Sequence, residues 1–370
     1  MIISAMLKEI QALLRKSPGL KAKTIASRLN ADRKQVNKTL HENPELFEQD
    51  AEYKWSPQVR GELRIELGDH SWLTATEFEN ALLATSSPWD ASVCSVTFVV
   101  ANECKILLEA LARLLALSNQ LAKASKRVSL DFSACRSTLT YLDRIGFFDH
   151  LDDTVEVIPN RPTSSKASTY EGNNDGVVEF RAIDPLEPNQ EIPALLKNSF
   201  VRSAGDSYSI AAFTVLSELF DNVQQHSEST TNGFAGLQFY KRVNHIHTVI
   251  SDGGRGIVGT LAPVLKERYP EVARKIQNSS LPHGVALLRE VFSDGGLSQF
   301  SDHGRGLGLK RSGDLAQKYK ATISVRQETF ELRVHQSPTG TRFSHQIGLV
   351  HIAGTHICFI FELDHTANSG

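Results

Sequence analysis

The stretch Ser217–Thr355 contains three short segments, Glu218-Leu-Phe-Asp-Asn222-Val-Gln-Gln-His226, Asp252-Gly-Gly-Arg-Gly256-Ile257 and Gly304-Arg-Gly-Leu-Gly-Leu309. Each segment alone is a weak signal, because polar helix faces and glycine-rich turns are common. Their order and spacing are more informative, since they combine a metal-binding amide, a carboxylate after a strand and a glycine-rich loop. Together they predict one nucleotide site.

The first segment is predicted to lie on a helix. Apolar residues recur every three or four positions around it, which is the helical period: Ile210, Phe213, Leu216, Leu219, Phe220 and Val223. Glu218 and Asn222 are four residues apart and therefore share one face. The Asn222 carbonyl is a suitable hard ligand for Mg²⁺, and Glu218 could activate water. The alternative is an exposed polar face without chemistry.

The second segment follows a predicted strand at Ile246–Ile250. Asp252 comes just after that strand, and glycines follow that permit close backbone approach. A buried carboxylate here could accept a hydrogen bond from the exocyclic amine of adenine. The alternative is an ordinary tight turn.

The third segment is a glycine-rich loop that precedes a predicted helix at Leu309–Tyr319. Backbone N–H groups at such a helix start bind phosphate, and Arg305 and Lys310 add positive charge. The alternative is a flexible hinge. The sequence has no Gly-x-x-x-x-Gly-Lys-Ser/Thr loop, which excludes a P-loop ATPase, and the glycine spacing disfavours a dinucleotide fold.

The ordered set resembles the N, G1 and G2 boxes of the histidine-kinase-like ATPases, over residues 196–365. The resemblance implies an α/β sandwich in which Asn222 holds Mg²⁺, Asp252 binds adenine, and Glu218 is the general base. It also implies a lid between Gly259 and His303, with Gly295-Gly296 as its hinge. The remaining expected nucleotide contacts are Gly254, Gly256, Ile257, Gly304, Arg305, Gly306, Leu307, Gly308, Leu309, Lys310 and Thr355.

A Gly-Thr pair usually completes the adenine pocket in this family, and the sequence offers two candidates. Gly354-Thr355 is preferred over Gly340-Thr341, because the apolar segment Ile357–Phe361 follows it as the closing strand.

The composition is that of an ordinary globular protein of two or three domains: 370 residues, 41% apolar, 22% charged and a formal net charge of −2. The charge argues against a uniformly basic nucleic-acid coat. The four cysteines are widely spaced, which favours neither a metal site nor a disulfide framework and fits a cytoplasmic protein. No apolar run is long enough for a membrane helix, and the first residues do not resemble a signal peptide.

Residues 1–56 resemble a winged helix-turn-helix domain, with two helices, a turn, a third helix that Asp32 caps, and a two-stranded wing. The exposed side of the third helix would present residue types that contact phosphates and base edges: Arg33, Lys34, Gln35, Asn37 and Lys38. This pattern favours DNA contact. The alternative is dimerisation or docking to a protein.

Residues 57–160 alternate strands and helices, which predicts a small α/β sheet. They include a predicted helix at Glu103–Lys126 and loosely resemble the STAS domain of anti-sigma-factor antagonists. Ser133 and Ser137 lie where that family has a phosphorylatable serine, but the surrounding pattern differs. A scaffold or docking domain for a protein partner or a homodimer is favoured. Residues 161–195 are predicted to be a linker and edge region.

The expected protein is therefore a multidomain α/β protein that binds ATP and Mg²⁺ and uses binding, with slow hydrolysis, as a switch. One alternative is a serine/threonine protein kinase of the anti-sigma-factor type. Another is a non-enzymatic, nucleotide-sensing DNA-binding regulator. The sequence alone does not choose between phosphate release and phosphate transfer.

Overall fold

The computed structural model describes residues 5–44, 46–57, 61–69, 71–170, 172–184, 187, 189–226, 232–293 and 320–363. Within these ranges the chain is a mixed α/β protein with several sheets, which confirms the predicted class at that level. None of the described helices has the length and apolarity needed to cross a membrane.

The N-terminal unit, residues 5–57, has its own small core. Its elements are α1 (Ala5–Lys16), β1 (Leu20–Lys21), α2 (Ala22–Arg28), α3 (Arg33–Glu42), β2 (Phe47–Gln49) and β3 (Lys54–Pro57). The strands form an antiparallel sheet in the order β1-β3-β2. Asp32 caps α3 as the sequence predicts, since its carboxylate accepts a hydrogen bond from the Gln35 N–H at 3.0 Å. Ile10, Leu14 and Trp55 are buried between the helices and the sheet.

The middle unit, residues 62–158, is built around a parallel four-stranded sheet in the order β4-β6-β8-β9. The elements are β4 (Glu62–Leu67), β5 (Trp72–Leu73), α4 (Ala75–Leu83), β6 (Ser95–Val100), β7 (Lys105–Ile106), α5 (Leu108–Lys123), β8 (Arg127–Asp131), α6 (Arg136–Arg144) and β9 (Glu156–Ile158). The strand–helix alternation explains the parallel pairing, because each crossover helix returns the chain to the end of the sheet at which the previous strand began.

Two predicted boundaries in the middle unit are wrong. The long helix begins at Leu108, not Glu103, because Glu103 adopts a left-handed turn with φ of 58° and Lys105–Ile106 then pairs with Trp72–Leu73. The sequence also predicts a helix at Ser137–Asp149, but helix α6 ends at Arg144, because Gly146 is left-handed with φ of 74°.

The C-terminal unit contains an antiparallel five-stranded sheet in the order β10-β11-β12-β14-β13. Its elements, after the short helix α7 (Ala167–Tyr170), are β10 (Val177–Ile183), α8 (Ile192–Ala204), α9 (Ser209–His226), β11 (Gly233–Tyr240), β12 (His245–Ser251), α10 (Gly256–Arg268), α11 (Pro270–Gln277), α12 (His283–Ser293), β13 (Ala321–Ser337) and β14 (Gly340–Glu362). The edge strand β10 lies inside residues 161–195, which are predicted to be a linker and edge region, so this sheet begins before residue 196.

One further prediction for this unit needs correction. The sequence pattern predicts separate strands at Ala321–Arg326 and Phe330–Val334, but these segments form one strand, β13, whose register shifts between Gln327 and Phe330. The segment between Gly259 and His303, which is expected to be a lid, is described up to residue 293 and folds there as α10, α11 and α12. These helices bury Leu261, Ile276 and Leu287 in the core, so they belong to the packed body of the unit.

The five-stranded sheet is covered on both faces. Helices α8 to α12 pack on one face, where Leu237, Ile246 and Phe359 join their apolar core. The middle unit packs on the other face through α5, where Phe234 and Val249 belong to the same apolar cluster as Leu111. The middle and C-terminal units therefore share one continuous interface.

A buried charge cluster lies in that interface. The guanidinium of Arg113, on α5, donates to Glu79 at 2.8 Å, Glu109 at 2.6 Å and Glu331 at 2.6 Å. Arg326, on β13, also donates to Glu79 at 2.8 Å. Burial alone would raise the pKa of Glu331, but the nearby Arg113 and Arg333 charges hold it below the usual range. The cluster joins helices α4 and α5 of the middle unit to β13.

Candidate functional site

Asp252 lies immediately after β12 and is buried, with 7% of its surface exposed. Its Oδ1 accepts a hydrogen bond from the Gly254 N–H at 2.7 Å, and its own N–H donates to the Thr355 carbonyl at 2.9 Å. Burial raises the pKa of Asp252 to about 6, although hydrogen bonds from Gly254 and Thr355 oppose the shift. The carboxylate is thus mainly ionised at neutral pH and remains a strong acceptor.

Two glycines allow close backbone approach in the turn that carries Asp252. Gly354 has φ of 93°, and a Cβ on it would lie 2.0 Å from the Asp252 carbonyl oxygen. Gly256 has φ of 72°, and a Cβ there would lie 3.1 Å from Gln327 Nε2. A side chain at either position would be strained by the positive φ, and at Gly354 it would also clash with the Asp252 backbone.

Gln327 is a site residue that the sequence reasoning missed. Its Nε2 donates to the Thr355 hydroxyl at 2.8 Å, and its Oε1 accepts from the Val258 N–H at 3.2 Å. It thereby links β14 to the start of α10, where Ile257 packs partly buried against the core. Its only sequence signal is a position between two predicted strands, which is where a register shift occurs.

The structure brings Asp252, Gly254, Gly256 and Thr355 together. Gly354 and Thr355 lie beside Asp252, whereas Gly340 and Thr341 are at the far end of the β13–β14 hairpin, where Gly340 pairs with Ser337. The preferred pair does not precede the last strand as expected, because both residues lie within β14.

The other predicted nucleotide contacts are only partly described. Glu218 and Asn222 are one turn apart on α9, which packs against β12 and α10. Their side chains lie outside the described part of the chain. The same is true of the hinge at residues 295–296, the helix predicted at 309–319, and the phosphate loop Gly304, Arg305, Gly306, Leu307, Gly308, Leu309 and Lys310. Among the described residues, no cluster of three or more His, Cys, Asp or Glu could hold a metal ion. The assignment of Asn222 as Mg²⁺ ligand stays a prediction.

Helix α3 presents its polar face to solvent. Arg33, Lys34, Gln35, Asn37 and Lys38 are all exposed there. Lys38 forms a long ion pair, 3.7 Å, with Glu42 on the same helix. The adjoining β2–β3 hairpin carries acidic residues, Glu48, Asp50 and Glu52. The charges therefore favour phosphate contact at α3 and disfavour it at this hairpin.

In the middle unit, the backbone N–H of Ser133 donates to Asp131 Oδ1 at 2.9 Å, in the turn that follows β8. Ser137 lines a surface cavity of about 530 Å³ together with Glu103 and Lys105. The four cysteines are free thiols, and burial raises the pKa of Cys104 to about 11, so that this thiol is unreactive at neutral pH.

Comparison with known proteins gives no further assignment. No known protein family matches this chain, and no curated protein shows significant similarity to it. The functional argument therefore rests on the residues and their geometry.

Proposed function

We propose that the chain is an ATP- and Mg²⁺-binding regulatory protein of the histidine-kinase-like ATPase type. The observation that carries this proposal is the buried carboxylate of Asp252, which accepts from the Gly254 N–H in a turn that Gly256, Gly354 and Thr355 complete. A purine amine is a suitable donor to such an acceptor, and the glycines leave room for a flat ring. The antiparallel sheet with helices on one face is consistent with the implied α/β sandwich.

In this proposal each remaining polar group has one role. Asn222 would hold Mg²⁺, and Glu218, one turn earlier on α9, would activate a water molecule for slow hydrolysis. Gly304 to Lys310 would bind the phosphates through backbone N–H groups. Mg²⁺ would neutralise the phosphate charge and align the γ-phosphate.

The middle unit cannot be the freely docking part of the switch. Its α5 is buried against the sheet by apolar contacts and by the Arg113 cluster, and separating them would expose both. We propose that nucleotide binding instead alters the exposed surfaces of the protein, including α3 of the N-terminal unit. The N-terminal and middle units retain the proposed winged-helix and STAS-like assignments.

Calorimetry with Mg-ATP, followed by a phosphate-release assay, tests the proposal. Asp252→Asn should abolish binding, whereas Glu218→Ala should retain binding but lose most phosphate release. Glu271→Ala is a matched control, because Glu271 is an exposed helical carboxylate paired with Arg274 on α11. A wild-type protein that gives no binding heat would contradict the proposal. Stable transfer of labelled phosphate to a partner protein would instead identify the kinase.

DNA binding is the second part of the proposal, and the exposed cationic face of α3 favours it. Fluorescence anisotropy should show affinity that falls steeply with salt. Lys34→Ala/Lys38→Ala should weaken binding and reduce the slope of log affinity against log salt by roughly 2, if both lysines contact phosphates. Lys241→Ala/Lys266→Ala is the control, since both lysines are exposed on the C-terminal unit. An absence of binding at low salt would leave α3 as a protein-docking surface.

A further inference from the structure

Strand β14 bulges where it passes Asp252. Gln327 pairs with Thr355, but its neighbour Glu328 pairs with Ile352, so Ala353 and Gly354 have no opposite residues in the ladder. Backbone groups in a bulge lose their strand partners and need others when they are buried. The bulge also brings Gly354 against the Asp252 backbone. The shape of the candidate adenine pocket therefore depends on how these two residues are held.

The side chain of Gln120, in the middle unit, forms hydrogen bonds with both backbone polar groups of Ala353. Its Oε1 accepts from the Ala353 N–H at 2.8 Å, and its Nε2 donates to the Ala353 carbonyl at 2.9 Å. The side-chain amide thus takes the place of a neighbouring strand. His356 Nε2 lies 3.0 Å from the same carbonyl. Burial lowers the pKa of His356 to about 3, so the ring is neutral and can donate only through the protonated nitrogen.

The helix that carries Gln120 is anchored along its length. At its start, the Leu108 N–H donates to the Tyr240 hydroxyl on β11 at 2.8 Å. At its centre, Arg113 donates to Ser324 and Glu331 on β13. Gln120 makes the third attachment, to β14. The position of α5 on the sheet therefore fixes the position of the Gln120 amide, and through it the bulge.

We propose that Gln120 is a positioning residue for the nucleotide site and couples that site to the middle unit. This inference rests on the proposed function. Gln120 acts through the backbone, because it holds Ala353 so that Gly354 and Thr355 stay against Asp252. By linkage, a partner that moves α5 alters nucleotide affinity, and nucleotide alters the affinity for that partner by the same factor.

Gln120→Met tests the inference, because methionine keeps the length of the side chain and removes both hydrogen bonds. Asn119→Leu is the matched control. Asn119 is the adjacent residue of α5 and also makes two backbone hydrogen bonds, from its Nδ2 to the His150 carbonyl at 2.8 Å and from the Asp152 N–H to its Oδ1 at 2.8 Å. Both of these partners are in the middle unit. The two variants therefore lose similar bonds, but only one loses the link to β14.

Two measurements on the full chain are compared. Hydrogen exchange without nucleotide should be faster at Ala353 to Thr355 in Gln120→Met and unchanged there in Asn119→Leu. Calorimetry should give Mg-ATP affinity about tenfold weaker for Gln120→Met, as expected for about one unsatisfied buried polar group. Asn119→Leu should stay close to wild type in affinity, even where its melting temperature falls.

The outcomes are distinct. Equal exchange and equal affinity in wild type and Gln120→Met would overturn the positioning role while leaving the proposed function intact. Equal loss of affinity in both variants would also overturn it, since the effect would then be general destabilisation. A wild-type protein that binds no Mg-ATP would overturn the proposed function itself and the inference with it.

Discussion

The two faces of the five-stranded sheet are held by different kinds of contact. Under α8 to α12, the buried side chains are mainly apolar, as with Leu237 and Phe359. Under the middle unit, a comparable apolar cluster surrounds the Arg113 ion pairs and the Gln120 hydrogen bonds. Apolar contacts are non-directional, whereas ion pairs and hydrogen bonds require one relative position. The comparison indicates that the contacts under α8 to α12 mainly supply stability. The contacts under the middle unit supply stability and also fix the position of that unit on the sheet.

The largest expected effect is from Arg113→Met on the middle-unit face. The change leaves Glu79, Glu109 and Glu331 with a reduced positive charge beside them, so unfolding free energy should fall by about 3–5 kcal/mol at pH 7. The loss should shrink in acid, because protonated carboxyl groups no longer need the guanidinium. Urea denaturation at several pH values measures both.

Leu237→Ala is the comparison variant on the helix-covered face. It should lower the free energy of unfolding by about 2–5 kcal/mol, with little dependence on pH, because it creates a cavity and leaves the charges unchanged.

Adding Glu331→Gln to Arg113→Met should recover part of the stability that Arg113→Met loses, which a double-mutant cycle detects. Similar pH profiles for the Arg113 and Leu237 variants would contradict the contrast between the faces.

Asp252→Asn should stabilise the free protein while removing the nucleotide acceptor. Burial raises the folded-state pKa from 3.8 to about 6, so the ionised form is less favourable when folded. The penalty is absent below pH 3.8, develops up to about pH 6 and is complete above it. Removing this ionisation penalty should raise the free energy of unfolding by up to about 3 kcal/mol at pH 7.

Thermal or urea unfolding at pH 4 and pH 7 checks this prediction. Asp153→Asn serves as control, because the Asp153 side chain is fully exposed and should give no comparable gain. A destabilised Asp252→Asn at pH 7 would show that the carboxylate is structurally required.

His247→Leu should reduce the sensitivity of the protein to acid. His247 is on the β12 face toward the middle unit, and burial lowers its pKa from 6.5 to about 3. The unfolded chain therefore takes up a proton that the folded chain does not, and stability is lost as the pH falls below 6.5. At pH 5 this histidine should account for about 2 kcal/mol of that loss.

The measurement is the free energy of unfolding between pH 7.5 and roughly pH 5. Both the variant and the reference protein keep Asp252, because its titration changes stability with pH in the opposite direction. His283→Leu is the control, since His283 is exposed at the start of α12. The prediction fails if the His247 variant and wild type lose stability in parallel.

The smallest effect should come from Tyr240→Phe, which removes the hydroxyl that accepts from the Leu108 N–H. One unsatisfied helix N–H should cost about 1 kcal/mol and increase hydrogen exchange at the start of α5. Tyr53→Phe, at a position 73% exposed, should change neither quantity. Unchanged exchange at Leu108 would mean that this end of α5 does not depend on the tyrosine.

Much of the local structure was predictable, because the spacing of apolar residues along the sequence indicates which side of a helix or strand is buried. The strand before Asp252, the Asp32 cap and the helix carrying Glu218 and Asn222 are all present. The merged strand β13 was not predictable, because its pairing with β14 shifts register at Glu328, which has a left-handed conformation with φ of 48°. Such a conformation in a non-glycine residue is set by the partner strand.

The charge cluster and the Gln120 contact could also not be predicted from the sequence. Glu79 and Arg113 resemble solvated helix residues until β13 and β14 cover them. One signal existed, since Arg113 lies among leucines and alanines on a helix that is apolar on nearly all sides, and such helices are buried. Asp252 and Thr355 were accessible to prediction because their segments resemble a family pattern, whereas Gln327 belongs to no motif.

The Arg113–Glu331 contact spans 218 positions along the chain. A ribosome adding about 5–20 residues per second therefore exposes α5 for roughly ten seconds or longer before β13 emerges to cover it. During that interval the nascent chain presents a leucine-rich surface on which Arg113 still lacks its β13 partners, Ser324 and Glu331, and such a surface is a natural target for chaperones. Shortened chains that stop before residue 320 should consequently aggregate during expression, even though every strand of the parallel sheet has already been made.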